Sequence, residues 1–187
     1  EESPQILHQP INKLLIFIFV ITINSGLMYR VQLPSFSHLA SFTAWYWILP
    51  YIVAIIAIKV LYNKIKFVKV IYAAISMMGV SFIAFFLMDK SMLAFVIVNT
   101  LMLGSFGIID IYWWSTLGEM IEDYRNPAKV FGLGLSANIL GVIIGGVIGE
   151  IIYSYGVLSE LKTMFIALTL LMISIFIVPK NIPKPWQ

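Results

Sequence analysis

Asn99, Leu103, Phe106, Asp110 and Trp113 recur at three- and four-residue spacing, so on an α-helix they share one face. That stripe sets an amide, aromatic rings and one acid side by side, a set suited to binding a solute by hydrogen bonds, stacking and charge. Covalent chemistry is poorly supplied. The only histidines are His8 and His38, outside the apolar blocks, so Ser136 in LGLSAN has no embedded base to activate it. Asp110 is the sole Asp well inside an apolar block, which leaves a paired-carboxylate mechanism without its second member. Cysteine is absent, removing disulfides, thiolate metal sites and cysteine nucleophiles. No H-E-x-x-H pattern and no phosphate-binding glycine loop occurs. The chain is therefore expected not to be an enzyme, and no cofactor or metal is expected.

The elements that must position the stripe are apolar. The chain has 187 residues, 60% hydrophobic and 11% charged, with a mean hydropathy of +0.95. A soluble domain carries about 25% charged residues, so an integral membrane protein is expected. Its formal net charge of +3 comes from basic residues scattered in short connections, with no basic stripe of the kind that binds nucleic acid. Glu1 stands first, with no Met and no basic segment before a short apolar core, so the sequence is expected to be part of a longer chain rather than to open on a signal peptide.

About 20 mostly apolar residues cross a bilayer, and six blocks qualify: 11–29, 42–62, 68–88, 92–117, 128–153 and 161–179. None alternates as a barrel strand would. The fold class is thus an all-α integral membrane bundle of six transmembrane helices. Residues 1–10 form a cytoplasmic N-terminal segment, 11–179 the bundle, and 180–187 a cytoplasmic Pro-rich tail or linker. Lys13, Lys59, Lys64, Lys66, Lys69, Arg125, Lys129, Lys180 and Lys184 lie with the termini and even connections, against Arg30, Lys90 and Lys162 on the other side. The positive-inside rule then places both termini in the cytoplasm. Short connections make the third and fourth blocks, and the fifth and sixth, expected antiparallel neighbours. Pro50 is expected to kink the second block, and Asn126 with Pro127 to cap and open the fifth.

Asn24, Asn99 and Asn138 fall near mid-membrane in the first, fourth and fifth blocks, either lining a cavity or bonding between helices. Asp110, about 27 Å along its helix, is either a charge in that cavity or a headgroup-level acid paired with a loop Lys. The third and sixth blocks carry only Ser and Thr, which can bond back to their own helix. The fifth block holds a seam of Gly134, Gly141, Gly145 and Gly149, with Asn138 on the same face, where another backbone can approach closely. Glu150 is expected at the outer rim, reaching water.

Two triplets of helices, each with an apolar third member, resemble one half of a major facilitator superfamily transporter. The stretch from Gly118-Glu119 through Gly149 is locally similar: an acidic loop, an N-P-x-Lys turn and a Gly-rich helix look like the loop and helix joining that family's tenth and eleventh spans. The C-terminal half is the better match. The family's basic signature between second and third helices is represented only by YNKIKFVK at 62–69, without its Gly, Asp or Arg. The resemblance implies two three-helix inverted repeats. It also implies a cavity lined by Asn24, Asn99, Phe106, Asp110 and Asn138, and a second six-helix half as partner within the bilayer, in the same longer chain or a separate one.

The expected function is alternating-access transport of a small solute, with a proton or cation as the candidate coupling partner, in a bacterial inner membrane. Two alternatives stay open: a membrane sensory or anchoring module tethered through the Pro-rich tail to a regulatory domain, and a substrate-capture subunit of a multi-component importer.

Overall fold

A computed structural model describes residues 8–61, 67–121 and 126–179. The expected N-terminal segment as far as residue 7, the Pro-rich tail and most of YNKIKFVK lie outside the described residues. Every regular element among the described residues is helical. Five helices are long and apolar enough to cross a membrane, and a bent pair makes a sixth candidate.

Helix α1 (His8–Leu27) runs directly into a π-helical turn, Met28–Gln32, closed by the Leu33 N–H donating to Met28 O at 2.9 Å. The first apolar helix is therefore Ile11–Gln32, three residues longer than hydropathy alone suggests. A 3-10 segment, Pro34–Leu39, leads into α2 (Ala40–Tyr46) and then α3 (Leu49–Leu61). These two are the second apolar block, expected as one kinked helix and found as two helices bent by 41°. Pro50 has no N–H to offer Tyr46 O, and the helix parts at Trp47 and Ile48, just ahead of it.

Helices α4 (Phe67–Leu87) and α5 (Met92–Met120) follow, α5 being capped by Ser91, whose Oγ accepts from Ala94 N at 3.3 Å. Asn126 caps α6 (Pro127–Tyr153) through Oδ1, which accepts from Lys129 N at 3.1 Å, with Pro127 in the first turn. Gly156 at φ +59° turns the chain, a backbone position that suits glycine, and α7 (Ser159–Ile177) completes the bundle.

Helices α1 and α5 are the inner members; 67% of the apolar window of α5 is buried, against 17% for α6. Helix α1 packs mainly on α6 and α7, α5 on α3 and α4, and α4 also on α7. Helices α4 and α5 are close neighbours, as their short connection requires. The expected neighbour pair α6 and α7 touch only lightly, because the seam of α6 is taken up by α1. Below the π turn, Phe17, Tyr112, Trp113, Phe82 and Met102 belong to one continuous core, while Phe36, Phe85 and Phe95 form a second cluster beside the connection ends. Large apolar side chains remain uncovered on α6, including Ile139, Leu140, Ile143 and Val147. Such a surface suits lipid, where an uncovered aliphatic face costs nothing.

Candidate functional site

Asp110 sits on α5 with a donor at each oxygen. Trp113 Nε1 donates to Oδ1 at 2.8 Å from three residues along the same helix. Tyr51 Oη, from α3, donates to Oδ2 at 2.9 Å. One turn before Asp110, Gly107 makes the second bond reachable: a Cβ there would stand 2.8 Å from Tyr51 O and 3.1 Å from Ala54 Cβ. Among the described residues the ion pairs are Arg30 with Glu150 and Lys90 with Glu160, and neither involves Asp110. Its described partners are thus neutral, and no loop Lys is among them.

The three asparagines do different work. Asn99 is buried and its Nδ2 donates to Trp47 O at 3.1 Å, at the break in the second span. Asn24 is also buried, with Nδ2 on Ile21 O of its own helix at 3.3 Å. Both side-chain oxygens, Asn24 Oδ1 and Asn99 Oδ1, have no hydrogen-bond partner among the described residues. Asn138 is half-buried, and its backbone oxygen lies 3.2 Å from Thr22 Oγ1 of α1. Phe106 is packed in the core. Of the five side chains proposed to line a cavity, only Asp110 and Asn138 therefore keep partial exposure in this bundle.

The four seam glycines of α6, Gly134, Gly141, Gly145 and Gly149, are all buried. A Cβ at Gly141 would meet Thr22 Oγ1 and Phe19 O, one at Gly145 would meet Ile23 O, and one at Gly149 would stand 2.8 Å from Arg30 Cβ. These three seat α1, whereas Gly134 faces Leu117 of α5. The answering residue on α1 is Gly26, where a Cβ would strike Val142 O and Gly146 N. Glu150, expected to reach water, is half-exposed and pairs with Arg30 across the same joint.

Several contributors escaped the sequence reading. Pro50 was legible as a kink, but its neighbour Tyr51 was not legible as a donor to Asp110. Gly26, two residues beyond Asn24, was a lone glycine with no periodic signal. Ser81 of α4, expected to bond within its own helix, instead donates to Val98 O of α5 at 2.8 Å and lies 3.5 Å from Gln32 Nε2.

Around Asp110 an open aromatic face is assembled from α3, α5 and α6. Trp114 is four residues along α5, hence on the same face; it is 41% exposed, stacked on Trp113 with centroids 4.4 Å apart, and 5.5 Å from Phe131 of α6. Tyr29, in the π turn that follows α1, is 47% exposed. Chemically, this face offers one carboxylate, one phenol and ring surfaces. It offers no nucleophile with a base. Among the described residues there is no group of three His, Asp or Glu side chains able to hold a metal ion.

No family model, no curated protein and no solved structure matches the chain.

Proposed function

We propose that this bundle is a six-helix half of a facilitator-type secondary transporter, carrying a small solute by alternating access rather than transforming it. The observation that carries the reading is the pattern of helix packing. Exchange α1 with α5, the α2–α3 pair with α6, and α4 with α7: the α1–α6 contact becomes α3–α5, α4–α5 becomes α1–α7, and α4–α7 returns to itself. The main contacts map onto one another under that exchange, the lighter α5–α6 and α6–α7 contacts standing outside it, and this correspondence supports two three-helix repeats. The glycines follow it as well. Gly26 of α1 meets the backbone of α6, and Gly107 of α5 meets the backbone of α3.

Six spans follow when α2 and α3 are taken as one broken helix. Broken helices near a cavity are a recurrent feature of transporters. Both termini are assigned to the cytoplasm of a bacterial inner membrane. Two of the three basic residues assigned to the outside pair with acids at helix ends assigned to the same side, Arg30 with Glu150 and Lys90 with Glu160 at 2.9 Å, which is consistent with this orientation. The Asp110 face is the wall this half contributes to the solute path, the other wall coming from a second six-helix half.

These 187 residues carry no cysteine, so once any cysteine elsewhere in the gene product is replaced by serine, introduced thiols are clean reporters. In the full-length gene product, Tyr29→Cys should react with an impermeant maleimide only from outside and Trp114→Cys only from inside. In the protein carrying both substitutions, alkylating Trp114→Cys from the inside with an impermeant maleimide should then slow the reaction at Tyr29→Cys severalfold, because propping one side open closes the other. Rates at the two positions that are independent of each other would remove the alternating-access reading.

A further inference from the structure

We propose that the Asp110 face receives a monovalent organic cation, an ammonium group carried on an apolar body. The proposal rests on the transporter reading only in taking that cation as the solute; the binding itself stands on the local geometry.

The carboxylate comes first. A charged side chain inside a span is retained when it is paired or meets a pathway. Asp110 has a donor on each oxygen, Trp113 Nε1 at 2.8 Å and Tyr51 Oη at 2.9 Å. An indole N–H can only donate, so Oδ1 is held as an acceptor. Those two donors aim the group without neutralising it, and no described Lys, Arg or His forms an ion pair with it. Among the described residues, the complement it lacks is a positive charge.

The surroundings select the kind of cation. A hard metal ion needs about six oxygen ligands. Here the neighbours are ring faces, one phenol and an indole N–H, and no metal-holding cluster occurs among the described residues. Ring faces carry negative charge density and attract ammonium groups, best of all over Trp. Trp114 presents a 41% exposed ring one turn from Asp110, backed by the stack on Trp113 and flanked by Phe131. A carboxylate beside such rings suits a cation that is poorly hydrated and partly apolar.

The test is equilibrium binding of radiolabelled benzyltrimethylammonium to the full-length protein in nanodiscs of zwitterionic lipid. Saturable binding is expected in the wild type, weakened about tenfold or more in Asp110→Asn, where the charge partner is lost. Asp110→Glu, which keeps the charge, should recover most of the affinity. Trp114→Leu should weaken binding about threefold, the scale of one cation–π contact. Monodisperse elution and an unchanged unfolding midpoint identify the variants that remain folded. No saturable binding in the wild type, or equal binding in folded Asp110→Asn, overturns the proposal. Neither result touches the reciprocal labelling at Tyr29→Cys and Trp114→Cys, so failure of the ligand class is separable from failure of the transport reading.

Discussion

Tyr51 Oη stands 2.9 Å from Asp110 Oδ2, and this hydrogen bond ties the second limb of the broken span to the most deeply buried of the long helices. It exists because Gly107 lets the α3 backbone come within contact of α5. Removing the hydroxyl in Tyr51→Phe strands one carboxylate oxygen, which should cost about 1–3 kcal/mol. A lowered unfolding midpoint in detergent is the expected result. The loss should be smaller when Asp110→Asn is already present, because the two changes share one bond. Strict additivity would show that the hydroxyl is not spent on the carboxylate.

The glycines of α6 should divide by face. Gly145→Leu drives a side chain into Ile23 O and Gly26 Cα, whereas a Cβ at Gly146 meets nothing within 4 Å. Overpacking a tight joint costs about 1–3 kcal/mol, so Gly145→Leu should lower the yield of folded protein and its unfolding midpoint. Gly146→Ala should be neutral, or stabilise by about 0.5–1 kcal/mol through reduced backbone entropy. Equal tolerance at the two positions, read by midpoint, would contradict the α1–α6 joint.

Asn99 should hold the break of the second span. Its Nδ2 is the side-chain donor to Trp47 O, where α2 ends. Asn99→Leu is expected to cost about 0.6–2 kcal/mol, the range for interhelical bonds in membranes. Spin labels on α2 and α3 should report a broader distance distribution in this variant, while Pro50→Ala should lengthen the mean distance by straightening the span. An unchanged distribution in Asn99→Leu would show that Pro50 alone sets the bend.

Arg30 and Glu150 are about half exposed, with side-chain exposures of 52% and 55%. An exposed pair contributes about 1 kcal/mol at most and fades with salt. A double-mutant cycle with Arg30→Ala and Glu150→Ala should give a coupling in that range at low salt and near zero at high salt. A larger, salt-insensitive coupling would mean that the pair is shielded in the membrane.

Parts of this architecture were legible in the residues because they depend on local chemistry. Chain length and hydropathy located the long helices to within a few residues at most ends. Asn126 and Pro127 marked the start of α6 through one capping bond and one absent N–H. The spacing of Gly134, Gly141, Gly145 and Gly149 put a thin strip on one side of α6. Pro50 announced a distortion, though not that the helix would part at Trp47 and Ile48 ahead of it.

What met those features was decided only by tertiary structure. In water, a helix's inward face is written in its apolar stripe. In a bilayer the lipid is as apolar as leucine, so hydropathy does not separate a packed face from a lipid-facing one. The thin strip of α6 was therefore readable as a joint, but not as a joint whose main partner is Gly26 and its neighbours on α1 rather than the adjacent α7. Likewise the Asp110 stripe was readable as polar. Tyr51, 59 positions away in sequence, became its partner only when α3 and α5 closed on each other over Gly107.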